Sequence, residues 1–70
     1  MATATYNVHA LAGLIVDHAD TELHTRDPLA AAAIWHAARG IRALAHHNPE
    51  AAEALLASMA ESLDLIERED

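Results

Sequence analysis

The chain contains no cysteine and no lysine, and it has only two prolines and two glycines among its 70 residues. Without cysteine it cannot form disulfides, thiolate metal sites or cysteine nucleophiles, which is compatible with the cytoplasm. Long apolar runs are also missing, because residues 14–16 are followed at once by Asp17, and no basic leader segment precedes them. We therefore expect a cytoplasmic protein with no membrane segment.

Charge of one sign is scarce as well. The chain has four arginines and eleven acidic residues, which gives a formal net charge of −7. A protein that binds nucleic acid presents a basic surface, so this balance predicts no direct contact with nucleic acid.

Large apolar side chains are few. Hydrophobic residues make up 53% of the chain, but 18 of them are alanine. Burial contributes about 25 cal/mol per Å², while ordering costs about 1.5 kcal/mol per residue, so a chain this short is marginal as a monomer. We expect a second copy to complete the core.

The two prolines each follow a residue that is typical of a helix N-cap, in Asp27-Pro28 and Asn48-Pro49. Alanine, leucine, glutamate and arginine favour helix between these points, and strand patterns are absent. The sequence predicts one all-α domain over residues 1–70, with helices at about 6–25, 28–47 and 49–68. Because the connections are short, we expect three antiparallel helices, a helical hairpin plus a third helix, completed by dimerisation.

The third predicted helix separates apolar from acidic residues. From Asn48 onward the chain has seven acids and one arginine, a net charge of −6. Acids at the C-terminal end oppose the helix dipole, so we expect the last turn to fray. The apolar seam consists of Ala52, Leu56, Met59, Leu63 and Ile66, and the acidic face of Glu50, Glu53, Glu61, Asp64 and Glu67.

The second predicted helix is the only basic and aromatic part of the chain, with no acid between Pro28 and His47. A rotation of about 100° per residue places Trp35, Arg39, Arg42 and His46 together beside an apolar side that includes Ala37 and Leu44. Tryptophan and arginine often dominate interfaces, so we predict a partner-binding surface here. Alternatively, Trp35 flanks the core while the arginines are solvated or paired with the acidic helix; anion or nucleotide capture is a third interpretation.

The first predicted helix is apolar over a wide arc, which two neighbouring helices would not easily cover. We predict a dimer interface there, formed by Leu11, Leu14, Ile15, Val16, His18 and Glu22. His18 and Glu22 are four residues apart and can meet on one face. The alternatives are an ordinary His–Glu pair at the edge of the apolar stripe, or metal ligation.

Motifs for catalysis and metal binding are weak. Asp17, Asp20 and His24 share a polar helix face, but none of the six histidines belongs to a recognised metal-binding pattern. Ser58 and Ser62 lie within a helical pattern without an oxyanion-forming loop, and Gly13 and Gly40 do not form a phosphate loop. We expect no enzyme, no cofactor and no metal.

Two hypotheses of different classes follow. The first is a small acidic helical interaction module that self-associates and modulates another protein. The second is an acidic nucleic-acid mimic, of the anti-CRISPR or DNA-mimic type, whose acidic face occupies a basic groove in place of phosphates. A His/carboxylate metal-binding protein is a third hypothesis.

Overall fold

The computed structural model describes residues 7–67, and over this range the chain is all-helical with no strand. Helix α1 combines α-helical Val8–His18, π-helical Ala19–Leu23 and a last turn at His24–Arg26. Helices α2 and α3 span Pro28–Leu44 and Pro49–Ser62. The all-α prediction is confirmed, while the predicted limits at residues 6 and 68 lie outside the described residues.

Each of the three helices starts at a side-chain cap. The Oδ1 atom of Asn7 accepts from the N–H of Ala10 at 2.7 Å. The Oδ1 atoms of Asp27 and Asn48 accept from the N–H groups of Ala30 and Ala51, each at 3.1 Å. A proline occupies the first helical position after each of these two caps. These caps satisfy N–H groups that have no partner within the helix, so local sequence alone positions the helix starts.

Helix α2 ends at Leu44, and the predicted end at residue 47 is wrong. Residues 45–47 form a tight turn in which each N–H donates to the carbonyl three positions earlier. Asn48, which precedes a proline, has φ −146° and ψ 82° and so is excluded from the helix. The chain therefore leaves the helix one turn before the next cap.

Helix α3 ends at Ser62, earlier than the predicted residue 68. The N–H of Leu65 donates to the carbonyl of Ala60 and that of Asp64 to Glu61, with Asp64 at φ 59°. These bonds and the left-handed residue make a Schellman motif, in which aspartate occupies the position that usually holds glycine. The reversal turns Leu65 and Ile66 back onto the core.

The π-helical segment in α1 has no counterpart in the sequence prediction. The buried residues Ile15, Ala19 and Leu23 follow one another at intervals of four, and in a regular α-helix each such step rotates by about 40°. A wider turn reduces that rotation, so Leu23 still faces α2. Thr21 Oγ1 donates to the carbonyl of Asp17 at 2.8 Å, a side-chain bond that commonly accompanies a bent helix.

The core is small and rich in alanine, and it has two parts. The main cluster comes from all three helices, and the second lies between the π-helical segment and α2, with Ile34 packed against both. The buried residues of the main cluster are Leu11, Ala12, Ile15, Ala38, Leu56 and Ala60, and those of the second are Ala19, Leu23 and Ala31. Within residues 7–67 no helix combines the length and apolarity needed to cross a membrane.

Candidate protein-binding site

The side of α2 next to the second cluster carries a stacked aromatic and cationic pair. Trp35 is half-buried and packs on Ala19, Leu23 and Ala31. The guanidinium carbon of Arg39, one turn further along α2, lies 4.7 Å from the centroid of the Trp35 ring. This distance is within the range of a cation–π contact, which holds the arginine in place while leaving its N–H groups available.

Arg42 and His46 lie farther along the same side. Both are exposed, and His46 belongs to the turn after α2, so the prediction that it lies on the helix is wrong. No carboxylate among residues 7–67 lies within 4.0 Å of a nitrogen of Arg39 or Arg42. The interpretation that these arginines pair with the acidic helix therefore has no support in the described part of the chain.

The predicted dimer interface on α1 needs correction. Leu11 and Ile15 are 1% and 0% exposed, because they form the centre of the chain's own core. Val16 is partly buried against the same cluster, and among the apolar residues of the predicted interface only Leu14 keeps a substantial exposed surface, at 37%. Helices α2 and α3, together with the returning chain end, cover the arc that appeared too wide, so this face is not an apolar surface left open.

His18 and Glu22 are brought together, as their spacing predicts. His18 Nδ1 lies 3.7 Å from Glu22 Oε2, and the side chains are 11% and 79% exposed. The covered imidazole offers little area to a second copy, whereas the carboxylate extends into solvent. The geometry matches the alternative of a His–Glu pair at the edge of the core.

The acidic residues do not form one continuous helix face. Glu50, Glu53 and Glu61 lie on α3, and the latter two are partly buried. Asp64 occupies the left-handed position after the helix, and Glu67 follows the chain reversal. The predicted row of five carboxylates is therefore interrupted where α3 ends.

No three His, Asp or Glu side chains of residues 7–67 come close enough to hold a metal ion, so Asp17, Asp20 and His24 do not form a ligand set there. An open depression of about 460 Å³ is lined by Thr21, Glu22, Thr25 and Arg26. Both threonine hydroxyls already donate to backbone carbonyls.

The sequence prediction missed the outward face of α2, which is formed by the exposed residues Leu29, Ala33, His36, Ala37, Gly40 and Leu44. Ala37 and Leu44, assigned to the apolar side of the helix, are exposed to solvent. Leu29, at the start of the helix, is 83% exposed, the highest value among the exposed large apolar side chains of the described chain. The signal was present in the sequence, since the helix has apolar residues on every side and only one side can face the core.

No protein-family model, no curated protein and no solved structure matches this chain.

Proposed function

We propose that this chain is a small helical module that binds another protein through Trp35, Arg39 and Arg42 and thereby modulates it. The observation that carries the proposal is the stack of Arg39 on the half-buried Trp35 ring. The helix that presents it has no acidic residue in an otherwise strongly acidic chain. This combination of positive charge and an aromatic ring on one helix side supports the proposal.

The chemistry of this surface favours an acidic protein segment as its partner. Arginine presents a planar set of donors that matches the two oxygens of a carboxylate. Trp35 supplies a rigid apolar surface beside those donors, and tryptophan and arginine are the residues most often found at binding hot spots. We infer binding rather than catalysis, since the proposed contacts need no reactive group.

We propose that the three helices alternate in direction, because one residue separates α1 from α2 and four separate α2 from α3. We also propose that two copies associate. The support is the small core, whose largest fully buried side chains are Leu11, Ile15 and Leu56.

A capture experiment with matched charge variants tests the partner-binding surface. The wild-type chain, the double variant Arg39→Ala/Arg42→Ala and the double variant Glu50→Gln/Glu53→Gln are immobilised and exposed to a lysate of the source cells. We expect one protein to be retained by the wild type and the glutamine variant but lost from the alanine variant. Retention of that protein by both double variants would contradict the proposal.

The captured protein is then purified and titrated into the wild-type chain. Because Trp35 is the only tryptophan in the chain, its fluorescence reports contact at this surface when the partner lacks tryptophan or is labelled to suppress its own signal. A change that saturates at a defined stoichiometry supports direct contact. An unchanged emission spectrum on a complex that does form would place the partner elsewhere.

The acidic-mimic hypothesis remains the alternative function, supported by the net charge of −7. It predicts the opposite pattern of capture, with loss from the glutamine variant and retention by the alanine variant. It also predicts a steep loss of affinity as salt rises, because screened carboxylates no longer attract a basic groove.

A further inference from the structure

We infer that two copies of this chain dimerise through the outward face of α2, with the two helices antiparallel about a two-fold axis between His36 and Ala37. This inference rests on the self-association proposed above and identifies the surface that would carry it.

The outward face of α2 is an unpartnered apolar surface. It consists of Leu29, Ala33, His36, Ala37, Gly40 and Leu44, all of which are exposed. It contains no residue with a permanent charge, although the rest of the chain is strongly charged. A solvent-facing helix side normally carries charged residues, so a side without them is suited to contact with another helix.

The order of residues on this face makes it complementary to itself. In an antiparallel pair centred between His36 and Ala37, the contacting positions are equidistant from the axis. Leu29 of one copy then meets Leu44 of the other, Ala33 meets Gly40, and His36 meets Ala37. This reciprocal pairing is what a two-fold interface requires, because residue i contacts residue j and j contacts i.

Side-chain size supports the same arrangement. The two leucines lie at the ends of the face, and Ala33, Ala37 and Gly40 between them are small. The ring of His36 lies edge-on to the Trp35 ring, so the two backbones can approach closely where Ala33 meets Gly40 on either side of the axis. A Cβ atom added to Gly40 would meet nothing within 4 Å, so the glycine is not required by packing within the chain. Close approach corresponds to an interaxial distance near the lower end of about 8–10 Å.

Charge favours a second copy approaching on this face. Two chains of net charge −7 repel each other, and the outward face of α2 lies on the helix without acids. Antiparallel packing also opposes the dipoles of the two helices.

The contact is small. A 17-residue helix is about 25 Å long and about 10 Å wide, so its footprint is on the order of 250 Å² per copy. This is well below a standard interface of about 800 Å² per partner. We therefore expect a weak dimer whose population depends on concentration.

Cysteine cross-linking tests the surface and its orientation, since the chain has no cysteine of its own. Ala33→Cys and Gly40→Cys chains, one of them isotope-labelled, are mixed in equal amounts and oxidised at pH 8, where histidine side chains are generally neutral. We expect the mixed disulfide to be the main product. Two copies of the same residue would be about 10.5 Å apart along the helix axis, too far for a disulfide that needs Cα atoms within about 6.8 Å.

A cysteine on α3 is the control for random cross-linking. Ala54→Cys introduces a thiol at an exposed position of α3, and we expect it to remain uncross-linked. The antiparallel arrangement would be overturned if disulfides formed mainly between two Ala33→Cys chains or between two Gly40→Cys chains. Cross-linking of Ala54→Cys as efficient as that of the mixed pair would show random collision and would overturn the inference.

A matched pair of glycine variants tests the interface without new charge. Gly13 and Gly40 are both exposed within α-helix, and an added Cβ would meet nothing at either position. Sedimentation equilibrium from about 10 µM to about 1 mM covers the range expected for a weak complex. We expect Gly40→Gln to raise the dimer dissociation constant by about tenfold or more, and Gly13→Gln to change it by no more than about twofold.

The outcomes separate this inference from the proposed function. A dimer that responds equally to both glycine variants leaves self-association standing and overturns its placement on α2. A wild-type chain that stays monomeric at 1 mM overturns the inference and self-association together, while the capture experiment on Arg39 and Arg42 still decides partner binding.

Discussion

The guanidinium carbon of Arg39 lies 4.7 Å above the ring of Trp35, which itself packs on the small cluster between α1 and α2. One side chain therefore contributes both to the core and to a surface. We therefore expect replacement of Trp35 to affect both the fold and the proposed binding site, and replacement of Arg39 to affect the binding site with little effect on the fold.

Replacement of the two residues measures this coupling. Because Trp35 is half-buried, we expect Trp35→Ala to lower the free energy of unfolding by about 1–2 kcal/mol, less than the roughly 3–5 kcal/mol of a fully buried tryptophan. Arg39→Ala should change it by less than about 1 kcal/mol, the upper value of an exposed cation–π contact. Urea unfolding followed by circular dichroism makes the comparison. A Trp35→Ala chain that is unfolded at room temperature would assign Trp35 to the core alone.

Two adjacent leucines of α3 provide a test of the core. Leu56 is 0% exposed, while its neighbour Leu55 is 47% exposed. We expect Leu56→Ala to lower the free energy of unfolding by about 2–5 kcal/mol, because it removes contacts and leaves a cavity. In so small a domain that loss should unfold much of the population. Leu55→Ala is the matched control, and thermal melting that ranks the two variants equally would contradict the position of α3.

The end of α3 can be tested at Asp64, the residue with φ 59°. Glycine adopts this left-handed conformation without a Cβ penalty, whereas a β-branched residue is strained there. We expect Asp64→Gly to preserve stability or raise it by up to about 1 kcal/mol, and Asp64→Val to lower it by about 1 kcal/mol or more. Both variants remove the same negative charge, so equal melting temperatures would argue against the Schellman motif.

The net charge of the chain is sensitive to pH just below neutrality. Protonation of all six histidines would change the formal charge from −7 to −1, and histidine as a residue type titrates between about pH 8 and 5. We expect light scattering from concentrated solutions to rise as pH falls from 8 to 5.5, because repulsion between copies decreases. Circular dichroism recorded on the same samples should keep its helical signal. Loss of helix before scattering rises would assign the acid response to unfolding.

The sequence by itself determined the helical class and the helix starts. The caps formed by Asp27 and Asn48 use hydrogen bonds to residues three positions away, and the prolines that follow act on their immediate neighbours. Such interactions span a single turn, so they can be recognised without knowing what lies elsewhere in the chain. The grouping of Trp35 with Arg39 on one side of α2 also follows from helical periodicity alone.

Only the tertiary structure decided which apolar residues are covered and where the helices end. Leu11 and Ile15 lie in the core because α2 and α3 pack on them, while Leu29 and Leu44, of the same chemical type, face solvent. The π-helical segment keeps Leu23 against α2, and the reversal after Ser62 returns Ile66 to the core. These outcomes depend on contacts between residues that are distant in sequence, and periodicity within one helix cannot rank such contacts.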